Sequence, residues 1–260
     1  MDLIASLPWW ALAWVVFVTI ASGFVHGALG FGYPLIAMPL LSLVLDSKTT
    51  ILIVIVPAFV LSCANVIFGG RWSESIARLW YLPIAIMAGA FLGTRIVITS
   101  DPAPYVLLLA AVLLLYLNSD RIGAARLDAI KRYPVAATLV FGFAGGWLES
   151  STNMNLPVLL ILFKGLALGP LAVVQLANFA GIGGKSAQIA GWWSGSGLSI
   201  GFWAAMLPWV GIAALALAAG YQVRSRIETK TYRRWLRAFL WVMAFALLAQ
   251  FAAIMWGRLR

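Results

Sequence analysis

Apolar stretches of about twenty residues follow one another from Trp9 to Trp256, parted only by short polar turns. A helix of that length crosses the hydrocarbon of a bilayer, where every backbone amide must find its partner within the protein. This pattern predicts an all-α integral membrane protein, a polytopic helical bundle. Of the 260 residues 63% are hydrophobic and 10% charged, and no polar block is long enough for a soluble domain. Residues 1–260 therefore read as a single transmembrane domain.

The net charge is +10, yet the basic residues gather at segment ends. They form no Arg/Lys face interleaved with aromatics, which argues against nucleic acid as a partner and makes the charges topology signals in contact with the lipid bilayer. On that basis residues 119–133 and 223–237, with Arg71 and Arg78, are expected on the cytoplasmic side. Thirteen tryptophans, among them Trp9, Trp72, Trp80, Trp193 and Trp256 near segment ends, suit interfacial belts. The opening stretch has no Lys or Arg before Trp9 and an apolar run too long for a signal peptide, so it reads as the first span. Cys63 and His26 each stand alone, which leaves no intrachain disulfide, no metal cluster and no expected cofactor.

Two stretches interrupt the apolar pattern. His26-Gly27-Ala28-Leu29-Gly30-Phe31-Gly32-Tyr33-Pro34 must break the first helix, and Tyr33 to Leu45 is then too short to cross comfortably. In the second half Glu149 to Asn155 forms a polar break before Pro157, followed by a short apolar piece from Leu156 to Phe163. The next helix carries Gln175, Asn178, Lys185, Ser186 and Gln188. Broken, polar backbone at membrane depth survives only where protein or water surrounds it, so His26 to Asn65 and Gly145 to Lys185 read as the two halves of one cavity.

The halves can be overlaid. Gly23 and Gly27 match Gly142 and Gly146, Met38-Pro39 matches Leu156-Pro157, Asn65 matches Gln188, and Gly93 matches Gly220. This gives two repeats of about five helical elements, each with a broken or re-entrant short helix: about 1–118, a cytoplasmic linker at 119–133, and 134–260. The basic stretch 223–237 corresponds to the nearly uncharged turn at Asp101 to Pro104. Corresponding loops thus fall on opposite faces, as in an inverted repeat, and both termini are expected outside the cytoplasm.

Gly30-Phe31-Gly32-Tyr33-Pro34-Leu35-Ile36-Ala37-Met38-Pro39 resembles the glycine-rich first motif of the TauE/SafE sulfite exporter family. Gly89-Ala90-Phe91-Leu92-Gly93-Thr94-Arg95 resembles that family's glycine-rich fourth helix, and Thr231-Tyr232-Arg233-Arg234-Trp235-Leu236 its closing basic segment. The resemblance implies an inverted-repeat permease that moves small anions, chiefly sulfite and organosulfonates such as taurine or sulfoacetate, across the bacterial cytoplasmic (inner) membrane by alternating access. The second motif departs: where members often show glycines and then Gly-Pro-Pro, this chain has Glu149-Ser150-Ser151-Thr152-Asn153-Met154-Asn155-Leu156-Pro157.

Candidate substrate-binding residues follow from the breaks. Gly30 and Gly32 let backbone approach a ligand, and Ser150, Ser151, Thr152, Asn153, Asn155 and Asn178 can donate hydrogen bonds to anionic oxygens. The same glycines can instead pack helices, and the same hydroxyls cap one. Lys185, inside an apolar helix, should attract an anion, balance Glu149, or snorkel to an interface. Glu149 is a candidate proton carrier or a permanent partner of Lys185, and His26 a packed helix-end residue or a proton relay. Asn65 and Gln188 could face one another across a pseudo-two-fold axis or make ordinary interhelical hydrogen bonds. The expected function is an anion transporter rather than an enzyme. A membrane-embedded enzyme or a non-transporting partner subunit are the alternatives, with a proton or other coupling ion and a homo-oligomer as further partners.

Overall fold

A computed structural model describes residues 7–69, 72–118, 124–223 and 229–259. Every element among them is helical: α1 (Trp9–Leu29), α2 (Tyr33–Ser42), α3 (Ser47–Gly69), α4 (Trp72–Ser75), a 3-10 turn (Ala77–Leu79), α5 (Leu82–Thr99), α6 (Ala103–Asn118), α7 (Ala124–Arg132), α8 (Pro134–Thr152), α9 (Leu156–Gly165), α10 (Pro170–Ser196), α11 (Ile200–Ala204), α12 (Leu207–Val223) and α13 (Thr229–Leu259). Five stretches, α1, α3, α5, residues 200–223 and residues 237–257, are long and apolar enough to cross a membrane. Helices α2 and α9 have 10 residues each, about half a span at 1.5 Å per residue.

The helices of one half pack on helices of the other. Helix α1 lies along α12, and α8 lies along α5; α2 touches α13, and α9 touches α6; α3 meets α10, and α6 meets α13. Exchanging the halves leaves this set of neighbours unchanged. Both long seams are parallel and made by glycines. Gly23 faces Ala213 and Ala216, and Gly27 faces Leu217 and Gly220, while Gly142 faces Leu82 and Ala85, and Gly146 faces Ile86 and Ala90. A Cβ at Gly27 or Gly146 would fall on the partner's backbone, so bulkier residues would force the helices apart. Helices α3 and α10 run antiparallel, with Ser62 beside Gly181 and Val66 beside Gln175.

Side chains close several helix ends. The Asp46 carboxylate accepts from the amides of Lys48 and Thr49 at the start of α3, and Asp101 accepts from Ala103 at the start of α6. Lys48 Nζ donates to the Ile98 carbonyl at the end of α5, 2.9 Å, and Arg237 donates to the Leu117 carbonyl at the end of α6, 2.8 Å. The basic stretches are not plain loops, as the sequence suggested. Part of the linker is α7, whose Ile130 packs on Gly165, and the second basic stretch is helical from Thr229 onward. Arg71, residues 119–123 and residues 224–228, which carry part of the orientation argument, lie outside the described residues.

The second break is also narrower than expected. Helix α8 continues through Glu149, Ser150, Ser151 and Thr152, because the Ser150 hydroxyl donates to the Trp147 carbonyl and those of Ser151 and Thr152 to Leu148. A hydroxyl satisfied by its own helix needs no break around it. The chain turns only at Asn153, which sits in the left-handed region at φ 55°. The first break turns at Gly30, φ 83°, and Gly32, φ 111°.

Candidate functional site

The two breaks meet at one cavity of about 60 Å³. That is room for a few waters or one small polyatomic ion. Helices α2 and α9 both begin at it, with Gly32, Pro34 and Leu35 on one side and Asn155, Leu156 and Pro157 on the other. The first amide of α2, that of Tyr33, is taken by the His26 ring, while no side chain caps the start of α9, whose positive end faces the cavity. Helices α3 and α10 wall the space between them through Ala58, Ser62, Ala177, Gly181 and Lys185. The sequence overlay that pairs Asn65 with Gln188 would also set position 58 against 181 and 62 against 185.

Its charges come from the second half alone. Lys185 and Glu149 are each 2% exposed, and their ion pair is 2.7 Å long. The Lys185 ammonium also reaches the Asn153 Oδ1 at 2.9 Å, the Asn153 carbonyl at 3.3 Å and the Gln188 Oε1 at 3.2 Å. Four acceptors thus compete for three N–H groups. The other Glu149 oxygen, Oε2, accepts from the Asn155 amide at 2.8 Å. Gly184 packs against this carboxylate so closely that a Cβ there would overlap it. The Asn153 amide in turn donates to the Ile51 carbonyl at 3.1 Å, tying the turn to α3.

The first half supplies a neutral counterpart. His26 Nδ1 accepts from the Tyr33 amide at 3.1 Å, which leaves the proton on Nε2, facing the Asn178 Oδ1 at 3.2 Å. The Gly30 carbonyl, left free by the break, accepts from Asn178 at 2.6 Å and from Asn65 at 3.0 Å. The Tyr221 hydroxyl donates to the Asn65 Oδ1. Asn65 and Gln188 do not face each other. Each donates to the carbonyl at the break of its own half, Gly30 for Asn65 and Glu149, at 2.8 Å, for Gln188. The two carbonyls are not at equivalent places: Gly30 is itself the left-handed turn, whereas Glu149 lies one helical turn before Asn153 and also accepts the Asn153 amide, at 2.8 Å.

Of the residues singled out from the sequence, Gly32, Asn153, Asn155, Asn178, Lys185, Glu149 and His26 line the cavity. Gly30, Asn65 and Gln188 stand behind it and hold the breaks. Ser150, Ser151 and Thr152 are turned to their own helix, with Ser150 against Gly93. Ser62 and the apolar wall were not foreseen; their one signal was the repeat correspondence with Lys185 and Gly181. Among the described residues no group of three His, Cys, Asp or Glu side chains could hold a metal ion.

The family model described as Sulfite exporter TauE/SafE matches residues 15–249. No curated protein and no solved structure matches the chain.

Proposed function

The chain belongs to the sulfite exporter TauE/SafE family of membrane transporters, and from that premise we propose that it is a secondary carrier for a small sulfur oxyanion, sulfite or a short organosulfonate such as taurine or sulfoacetate. The observation that carries this reading is the cavity where both breaks meet, which is lined by an ammonium, side-chain amides and the uncapped start of α9. Each of these favours anionic oxygen. The small volume favours a compact headgroup over a bulky aromatic sulfonate. We place the carrier in the cytoplasmic membrane of a bacterium, in keeping with the resemblance described above.

We further propose that it works by alternating access between two inverted repeats joined by the basic linker. Support comes from the exchange-symmetric packing of the halves and from the antiparallel contact of α3 with α10, which occupy the same place in each half. The test is a ligand screen on purified protein by thermal shift with sulfite, taurine, sulfoacetate and simple carboxylates, followed by flux of the stabilising anion in proteoliposomes. A sulfur oxyanion should raise the melting temperature and cross only protein-containing vesicles. Stabilisation by none of them, with no flux, would overturn the assignment.

A further inference from the structure

The Lys185 ammonium is over-supplied with acceptors, and one of them carries a full negative charge. If Glu149 withdraws, Asn153 and Gln188 still hold the ammonium in place through three oxygens. The vacated direction opens on the cavity that Lys185, Glu149 and Asn155 line together. An anion oxygen there would take over the Glu149 contact with Lys185 and the Asn155 contact with Glu149. Empty, the site is neutral, since one cation meets one carboxylate and His26, the other titratable group on the cavity wall, has its Nδ1 occupied by the Tyr33 amide. An added monoanion would leave a net negative charge buried among apolar helices, which is costly unless a proton accompanies it.

We propose that the transported monoanion and the Glu149 carboxylate compete for Lys185, and that each anion bound is matched by one proton taken up on Glu149. This deepens the carrier reading above and rests on it. No covalent bond to the cargo forms or breaks. The proton adds to a Glu149 oxygen, the anion pairs with the ammonium, and both leave together on the far side. The site then carries no net charge either empty or loaded, so neither conformational step moves charge across the membrane. Transport is electroneutral anion–proton symport.

The groups facing Glu149 give this coupling no competing proton acceptor of the same charge. Lys185 comes from α10, Asn155 from the start of α9 and His26 from α1, while α3 contributes the neutral Ala58 and Ser62 to the wall. The cation of α5 is Arg95, which is exposed, lies over the Phe91 ring beside Gly195 and is not among the residues that line the cavity.

The experiment measures radiolabelled sulfite flux in proteoliposomes, on the acid side of neutral where the hydrogensulfite monoanion dominates, with protein-free vesicles subtracted. Potential and pH gradient are imposed separately. Wild-type flux should follow the pH gradient and change less than about twofold with the potential. Glu149→Gln should lose the response to the pH gradient and become driven by potential, because its empty site keeps an unbalanced Lys185 charge; sulfite should also raise its melting temperature more than that of the wild type, as the anion supplies the missing carboxylate. Wild-type flux that follows potential and ignores the pH gradient overturns the coupling while leaving the carrier intact. No sulfite flux above protein-free vesicles overturns both. The wild-type measurement decides the matter if Glu149→Gln does not fold.

Discussion

At the residue scale the site is a problem of placing one buried cation. Lys185 survives inside the bundle because a carboxylate, two oxygens of Asn153 and Gln188 surround it, and each has a second anchor elsewhere. Removing one partner of such a pair is far costlier than removing both. Lys185→Met should therefore lower the unfolding midpoint by stranding Glu149, and Lys185→Met with Glu149→Gln should recover most of the loss; equal stability in both proteins would show the pair to be uncoupled. Gly184 gives an independent probe, since its missing Cβ is where the carboxylate lies. Gly184→Ala should cost about 1–3 kcal/mol by overpacking and impair anion binding, whereas Gly211→Ala, with open space around it, should be neutral within about 0.5 kcal/mol. Chemical denaturation in detergent compares them. The residue types at this site were legible in the sequence, because a lone Lys and a lone Glu in apolar helices call for each other. Their geometry was not: whether the carboxylate faced the ammonium depends on how α8 and α10, joined through α9, pack on each other.

At the element scale two short helices are the means of bringing backbone to the middle of the bundle. Gly30 and Asn153 turn the chain through left-handed φ; the freed Gly30 carbonyl is taken up by Asn65 and Asn178, and Gln188 adds a second donor to the Glu149 carbonyl, which also accepts the Asn153 amide. Asn153 holds two roles that substitution can separate. Asn153→Gly keeps the left-handed turn and the main-chain carbonyl contact to Lys185 but loses the side-chain contacts to Lys185 and Ile51, while Asn153→Ala loses the same side-chain contacts and also strains the turn by about 1 kcal/mol. Both should weaken anion affinity, and Ala should melt lower than Gly; the reverse order of melting would show that the turn is not what Asn153 supplies. The break near Gly30 could be read from its glycines and Pro34. The one near Asn153 was read too wide, because hydroxyl-bearing residues look polar in sequence yet bond back to their own helix when no water competes.

At the scale of the whole molecule the two halves clasp each other, each giving its first helix to the other's fourth. If the basic ends of the helices are cytoplasmic, α7 lies inside and the turn before α11 outside. In a Cys63→Ser background, Ser199→Cys should react in intact cells with a membrane-impermeant maleimide, while Lys131→Cys should react only after permeabilisation; both positions are exposed. Labelling of Lys131→Cys from outside would reverse the orientation.

Sequence alone determined that this chain belongs in a bilayer, that it is helical, and that its apolar pattern breaks near Gly30 and again before Pro157. These follow from local quantities: apolar length, glycine and proline, and the cost of unsatisfied backbone in hydrocarbon. It also placed Lys185, Glu149 and the asparagines among the residues that need an explanation. Only the tertiary structure decided that both breaks open on one cavity, that Lys185 is met by four acceptors, and that Ser150, Ser151 and Thr152 turn away from the space they were expected to line. The cavity and most of the Lys185 shell depend on distant contacts, such as Lys185 with Asn153 and His26 with Asn178, and no local pattern fixes which distant carbonyl or carboxylate a buried donor will find; the hydroxyls instead chose acceptors three or four residues back, once packing left them no water.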